Sequence, residues 1–347
     1  MDSQCSIDIM ATADKFVSIG DWESALQCLM KENARQPNSA LEQQLVDLRI
    51  RAFRESSWPA PDIEWPPAHD VLPASGSDLP EINPADLTVD ALRSGIMGNG
   101  ALVVRGLMDP HTVDRMCDNI DRTLVDRQSG GAHSDPVGQS WYQRSTQVQG
   151  GPTQFFALGR EKSSESGSVW AVDSPRVASQ LMEFYHSINL PGLLNAYFAE
   201  PATLSVKKWV LRKVAPNNGS KSGWHQDGRF LGDGVRTVNL WIALTECGGQ
   251  AKSPGLDIVG GKNRKIFETG THGAPFDWTV GQGLVDELGS ESPVLCPRFS
   301  PGDALFFDHY NLHRTAFGDD HTENRYALES WFFAASRAPA KQMPVYF

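Results

Sequence analysis

Ser222-Gly223-Trp224-His225-Gln226-Asp227-Gly228 is the stretch on which the reading of this chain turns. In an extended strand, side chains at i and i+2 point to one face. His225 and Asp227 then offer an imidazole nitrogen and a carboxylate oxygen to one point in space. Two ligands do not make a metal site, so a third has to come from elsewhere. The candidate source is Asp303-Ala304-Leu305-Phe306-Phe307-Asp308-His309-Tyr310-Asn311-Leu312-His313-Arg314-Thr315, a strand-like run ending in a polar turn. Two histidines and one carboxylate on one side of a metal form the facial ligand set of non-heme Fe(II) oxygenases, with open positions opposite. A lone His-x-Asp reads more readily as the polar end of an ordinary strand, and His309 competes with His313 for the third place. The companions of the motif therefore carry the argument.

Bulk properties narrow the class. A chain of 347 residues accommodates one large domain and a smaller appendage. A formal net charge of −11 argues against nucleic acid as a partner, because phosphate recognition relies on a basic surface. No apolar run approaches the roughly 20 residues of a membrane span. The start, Met1-Asp2-Ser3-Gln4-Cys5-Ser6, lacks the basic and apolar regions of a secretory signal. Cys5, Cys28, Cys117, Cys247 and Cys296 are scattered and without CxxC spacing, as in a reduced, cytoplasmic protein.

Along the chain, three segments follow. Residues 1–57 are predicted helical: Ala13, Phe16 and Val17, then Trp22, Ala25, Leu26, Leu29 and Met30, recur at helical spacing around a break at Gly20-Asp21. A further helix after Pro37-Asn38-Ser39 carries Leu41, Leu45, Leu48 and Phe53. Gly20-Asp21-Trp22-Glu23-Ser24-Ala25-Leu26 followed by Pro37 resembles the second half of a tetratricopeptide repeat, yet a single repeat has no stacked neighbour. Such a hairpin docks either on the rest of the chain or on a second subunit, where it would build a homodimer. Residues 58–84 hold Pro59, Pro61, Pro66, Pro67, Pro73, Pro80 and Pro84 and read as a semi-rigid linker, with Trp58 and Trp65 to lay it against the surface. From residue 85 a strand, Ala101–Leu107, and a helix opening at Pro110 lead into a polar region, 129–168. Its Trp141-Tyr142 and Phe155-Phe156 give it the look of a lid or substrate wall. Helix resumes at 174–198 and strand at 204–214. Short strands with Gly and Pro turns then dominate: 238–244, 255–259, 294–296, 303–307 and 325–333. The expected class is mostly β with flanking helices (α+β), a barrel or sandwich with helices on one face.

His225-Gln226-Asp227-Gly228, the strand Val238-Asn239-Leu240-Trp241-Ile242-Ala243-Leu244, the turn Ser300-Pro301-Gly302-Asp303 and His313 followed by Arg325 together resemble the phytanoyl-CoA dioxygenase family. The likeness covers residues 84–336 and leaves the helical hairpin and linker outside. It implies a double-stranded β-helix, a jelly-roll or cupin-like barrel with iron near one end. His225, Asp227 and His313 would bind Fe(II), with family spacing favouring His313 over His309. Arg325 would pair with the distal carboxylate of 2-oxoglutarate and Thr315 would add a hydroxyl contact. Arg325 otherwise reads as a surface ion pair with Glu323 or Glu329. Asn239 and Trp241 share a strand face and would wall the cosubstrate pocket, although barrel packing explains them equally. Trp224, Arg229, Lys208 and Arg212 are the candidate contacts to a small-molecule substrate. One departure stands out: where the family carries a Pro-Gly-Ser-His turn, this chain has Ser253-Pro254-Gly255-Leu256, so the rim and the substrate should differ. The implied reaction consumes O2 and 2-oxoglutarate, releases succinate and CO2, and hydroxylates, desaturates or cyclises a small metabolite. Asp227 argues against halogenation, for which the carboxylate gives way to halide. The rival readings are a cupin-like metalloenzyme without the keto acid, and a non-catalytic scaffold built on the hairpin.

Overall fold

Asp21 and Asn38 set the first helix boundaries. Asp21 accepts a hydrogen bond from the Ser24 amide at 3.1 Å, and Asn38 accepts from Ala40 and Leu41, as short polar N-cap residues do. The helices so delimited are α1 (Asp2–Ser18), α2 (Trp22–Arg35) and α3 (Ser39–Glu55). Their Ala13, Ala25, Leu26, Leu29, Leu45 and Ala52 close a core of their own. The computed structural model describes residues 2–74, 79–129, 141–149, 167–216, 223–232, 234–261, 263–289, 292–316 and 318–347. The expected aromatics Phe155 and Phe156 lie outside the described residues.

This helical layer rests on the rest of the chain. Arg49 Nη1 donates to the Tyr346 carbonyl at 3.0 Å, and Asn33 Nδ2 to the Ser179 hydroxyl at 3.0 Å. The proline-rich connection hugs the surface: Trp58 stacks on Phe53 with centroids 5.1 Å apart, and Trp65 meets Tyr197 and Phe198. Beyond it come β1 (Glu81–Ile82), α4 (Val89–Arg93), β2 (Ala101–Val104), α5 (Pro110–Gln128), β3 (Ser168–Trp170), α6 (Pro175–Ser187), α7 (Leu190–Phe198) and β4 (Ala202–Val214). The second half holds β5 (Thr237–Ala243), β6 (Leu256–Val259), α9 (Gln282–Leu288), β7 (Val294–Leu295), β8 (Ala304–Phe307), β9 (His313–Thr315), β10 (Arg325–Ala334) and β11 (Pro344–Tyr346), with the four-residue α8 (Gly228–Leu231) before β5.

Among the described residues the strands form two sheets, giving a mixed α+β architecture. The larger has eight strands in the order β1-β2-β8-β5-β10-β4-β11, with β3 added on β4; the smaller has the order β7-β6-β9. Residues paired across antiparallel strands share a face. The registers Asn239↔Phe307, Trp241↔Leu305, Glu329↔Trp241 and Ala327↔Arg212 therefore place Asn239, Trp241, Leu305, Phe307, Ala327, Glu329 and Arg212 together. The opposite face carries Val238, Leu240, Ile242, Phe306, Leu328 and Phe332, which form one core with Met116 and Ile120 of α5 and Leu181 and Tyr185 of α6. The first face packs through Trp241, Ala243, Leu305 and Phe307 against Leu256, Ile258 and Leu295 of the smaller sheet. One face of the main sheet is thus sealed by helices and the other looks at the small sheet.

The turn entering β8 needs its glycine. Gly302 has φ +92°, and a Cβ there would meet the Met108 carbonyl oxygen at 2.2 Å. Pro301-Gly302 suits a turn whose third position requires positive φ. Asp303 then ties the corner down, accepting from the Ser300 and Gly106 amides at 2.8 Å and from Arg105 at 2.6 Å.

Candidate metal centre

His225 lies beside the start of β9 rather than within a regular strand. It exchanges both backbone hydrogen bonds with His313 at 3.0 Å, an isolated antiparallel bridge, and the imidazole centroids are 4.4 Å apart. The expectation of a simple strand across 225–227 is corrected here: Asp227 has φ −61° and ψ −29° and opens α8. Convergence comes from a bend, held by the Gly228 amide donating to the His309 carbonyl at 2.9 Å. His313 follows β8 across a turn, as expected, and itself opens β9.

Among the described residues one group of three has metal-ligand geometry: donor atoms of His225, Asp227 and His313 all lie within 4.8 Å of one another. The surrounding bonds decide which atoms those are. Nδ1 of His225 faces the Gly223 carbonyl at 3.0 Å, and Nδ1 of His313 faces the Asn311 carbonyl at 3.1 Å. A carbonyl only accepts, so each Nδ1 carries the proton and each Nε2 is left with a free lone pair. Asn239 Nδ2 donates to Asp227 Oδ2 at 2.6 Å, orienting the carboxylate. Burial pushes both imidazoles down to about 4 and pulls the Asp227 carboxyl above its usual range. A divalent cation would reverse the cost of confining that carboxylate.

Gln226, between the two ligands of the motif, was not singled out from sequence. Its amide donates to the Lys265 and Tyr310 carbonyls at 2.9 and 2.6 Å and accepts from the Phe267 amide at 2.8 Å. It therefore ties the turn to two neighbouring segments. No sequence signal distinguishes such a glutamine from a solvent-facing one. Gly228 is needed for space, since a Cβ would stand 2.3 Å from Ile266 Cδ1.

Next to the triad the buried face holds polar atoms without partners. Arg325 is 1% exposed, so the alternative of a surface ion pair with Glu323 or Glu329 does not hold. Its Nη1 donates to the Pro254 and Gly255 carbonyls at 3.1 and 2.9 Å, while its Nε has no partner. Burial draws its pKa down to about 10. Trp241 Nε1 and Asn239 Oδ1 are likewise buried and unpaired, and the Arg325 guanidinium lies 5.6 Å from the Trp241 ring centroid. Leaving such a buried donor or acceptor unsatisfied costs about 1–3 kcal/mol. Thr315 follows His313 on the same face of β9, half-buried and paired with Leu256.

The remaining candidates separate. Lys208 and Arg212 of β4 both reach the triad's side of the sheet. The Lys208 ammonium sits 4.5 Å from the Trp331 ring centroid, and Arg212 pairs with Glu329 at 2.7 Å. Arg229 is exposed and donates to the Thr269 hydroxyl at 3.0 Å. Trp224 is not brought to the site: it is 2% exposed, packs with Val259, Phe267 and Leu312, and donates to Gln282. Next to His225 in an extended segment, it points the other way. His309 also stays out, its ring bonded to the Thr237 hydroxyl at 3.0 Å and pushed down to about 3 by burial.

The sequence model of the family described as phytanoyl-CoA dioxygenase matches residues 97–317. No curated protein matches the chain. Among solved structures the chain is similar to EctD from S. alaskensis with 2-oxoglutarate and 5-hydroxyectoine, at 16% identity over 69% of this chain and 73% of that one, TM-score 0.45. It is also similar to the non-heme alpha ketoglutarate dependent carbocyclase SnoK from nogalamycin biosynthesis, at 13% identity over 73% and 86%, TM-score 0.45. A third is the epimerase SnoN of the same biosynthesis, at 15% identity over 68% and 78%, TM-score 0.41.

Proposed function

The chain belongs to the phytanoyl-CoA dioxygenase family and is an Fe(II)- and 2-oxoglutarate-dependent oxygenase, and from that premise we propose where its chemistry resides. His225 Nε2, Asp227 Oδ1 and His313 Nε2 hold the iron. The carrying observation is the convergence of these donors within 4.8 Å, with both Nδ1 protons already committed to carbonyls. Arg325 receives the distal carboxylate of 2-oxoglutarate through its unpaired Nε edge, beside the Trp241 ring, and Thr315, on the His313 face of β9, adds its hydroxyl. The bound pair supplies the oxidising chemistry, converting O2 and 2-oxoglutarate to succinate and CO2 while a substrate C–H bond is oxidised. The chain's own part is to orient these ligands and to exclude water. Asn239 fixes the Asp227 carboxylate, and the small sheet covers the polar face. The substrate is a small organic metabolite, and Lys208 and Arg212 line its approach from β4.

We read the two facing sheets as a double-stranded β-helix spanning residues 85–347. The layer formed by residues 1–57 is a tetratricopeptide-like appendage joined by the linker 58–84. Its docking through Asn33 and Arg49 supports attachment to its own chain.

Under anaerobic conditions, addition of 2-oxoglutarate to the Fe(II) protein should produce a new absorption band, and admission of O2 should yield succinate. Iron-loaded protein that shows neither would refute the assignment. Asn239→Ala should weaken metal affinity by about 10–100-fold, because it acts on the ligand through one hydrogen bond. The check is an Fe(II) titration; an unchanged affinity would remove Asn239 from the centre.

A further inference from the structure

Several large apolar side chains stand in solvent at the edge of the triad. Phe230 is 37% exposed, Ile266 37%, Phe276 41% and Trp278 39%. They are contiguous. Phe276 and Trp278 stack with centroids 5.5 Å apart at 7°, Phe230 meets Trp278 at 5.9 Å, and Trp278 meets the ring of His225 at 5.6 Å. Ile266 continues the surface to Gly228. Exposed clusters of this kind mark binding surfaces, and this one begins on a candidate metal ligand.

The surface is built to hold its shape. The Thr279 hydroxyl donates to the Phe276 carbonyl at 2.9 Å, the Thr279 amide donates to the same oxygen at 3.1 Å, and the Gly270 amide donates to the Thr279 carbonyl at 2.8 Å. Gly223 makes room for Thr279, whose Cγ2 would be 2.6 Å from a Cβ there. The turn carrying both rings is thus locked to Gly223-Trp224, just before His225, where the Val280 amide donates to the Trp224 carbonyl at 2.9 Å. Flat aromatic side chains fixed in parallel offer a face on which a ring stacks with little loss of side-chain freedom.

A cation lies on the inner side of the same wall. Phe230 belongs to α8, whose Leu231 packs with Trp331, and the Lys208 ammonium rests 4.5 Å from the Trp331 ring centroid. Around the triad this face carries Lys208, Arg212 and Arg325 against Asp227 and Glu329, while Arg105, Glu81 and Asp303 pair with one another at the far edge of the sheet. A divalent metal with a doubly charged keto acid adds nothing to the sum around the triad, so one positive charge, that of the half-buried Lys208, is left over there. An acidic substituent on the substrate would offset it.

Resting on the oxygenase reading, we infer that the substrate is a flat ring system bearing an acidic group, stacked on Trp278, Phe276 and Phe230 with the acid directed to Lys208. The probe for the test is 8-anilinonaphthalene-1-sulfonate, with uncharged N-phenyl-1-naphthylamine as its partner. Both dyes are titrated into the Fe(II)·2-oxoglutarate protein without O2. The wild type should bind each at a single site. Trp278→Ala and Phe276→Ala should each weaken both dyes at least tenfold while the 2-oxoglutarate absorption band persists. Lys208→Met should weaken the sulfonate alone. Dye binding unchanged in both aromatic variants, with the band intact, overturns the substrate inference and leaves the oxygenase assignment standing. Equal loss of the two dyes in Lys208→Met overturns the acidic-group assignment. Absence of the band in the wild type defeats the oxygenase reading itself.

Discussion

Asp227→Ala protein should fold yet hold Fe(II) on the order of 100-fold or more weaker than the wild type, with succinate formation lost. Groups that only orient metal ligands are worth 10–100-fold in affinity, and a ligand is worth no less. Asp227 is also the sole anionic donor of the three. The stability of the metal-free protein should move little, and the reason is electrostatic. In that state burial works against the ionised carboxylate, so its removal relieves a penalty of several kcal/mol at most. Against this stands the lost acceptor of Asn239 Nδ2, worth about 1–3 kcal/mol. The two effects oppose each other. The metal-bound states then diverge: a concentration of 100 times the wild-type Kd stabilises the wild type by about 2.7 kcal/mol, and the variant by about 0.4 kcal/mol or less. Thermal unfolding with and without Fe(II), under nitrogen, reads this directly. His309→Ala is the informative control, since His309 bonds Thr237 and lies outside the triad. If His309→Ala loses the metal and Asp227→Ala keeps it, the ligand set is wrong.

How far the sequence reached can be judged from the same residues. The i, i+2 spacing of His225 and Asp227 pointed to a shared face, but the face is made by a bridge and a helical turn, not by strand alternation. Alternation did describe β5, where Val238, Leu240 and Ile242 enter one core and Trp241 the other. Local periodicity is a property of a strand alone. Which strand lies beside which is not, and nothing local announces that β8 inserts between β2 and β5. For the same reason the Arg212–Glu329 pair was illegible, and the burial of Arg325 followed from the family resemblance alone, since each depends on cross-strand register. The aromatic edge at 276–278 sits in a segment with no repeating pattern. Its meaning appears only once a turn brings Trp278 against His225.

Arg325→Lys should raise the 2-oxoglutarate concentration needed for half-saturation by about 30-fold or more, the equivalent of losing part of a buried charge-assisted pair worth about 2–5 kcal/mol. Lysine keeps the charge and loses the fork, which is the part the site uses. In the wild type Nη1 is engaged by the Pro254 and Gly255 carbonyls, while the Nε edge is left for a ligand. One guanidinium thus pins the turn before β6 and faces the cosubstrate. An ammonium on a single stem cannot meet both demands, so it either drops the turn or drops the carboxylate. Iron affinity separates these outcomes. The turn leads into β6, which pairs with β9 at Ile258↔His313. If Arg325 serves the turn alone, its loss should disturb His313 and weaken iron and 2-oxoglutarate together. If it serves the carboxylate, iron titrations in the absence of 2-oxoglutarate should stay within about threefold of the wild type, well under 1 kcal/mol. The cosubstrate curve should then move alone. Anaerobic titration of the absorption band in the variant, at saturating Fe(II), decides between a strut and a binding residue.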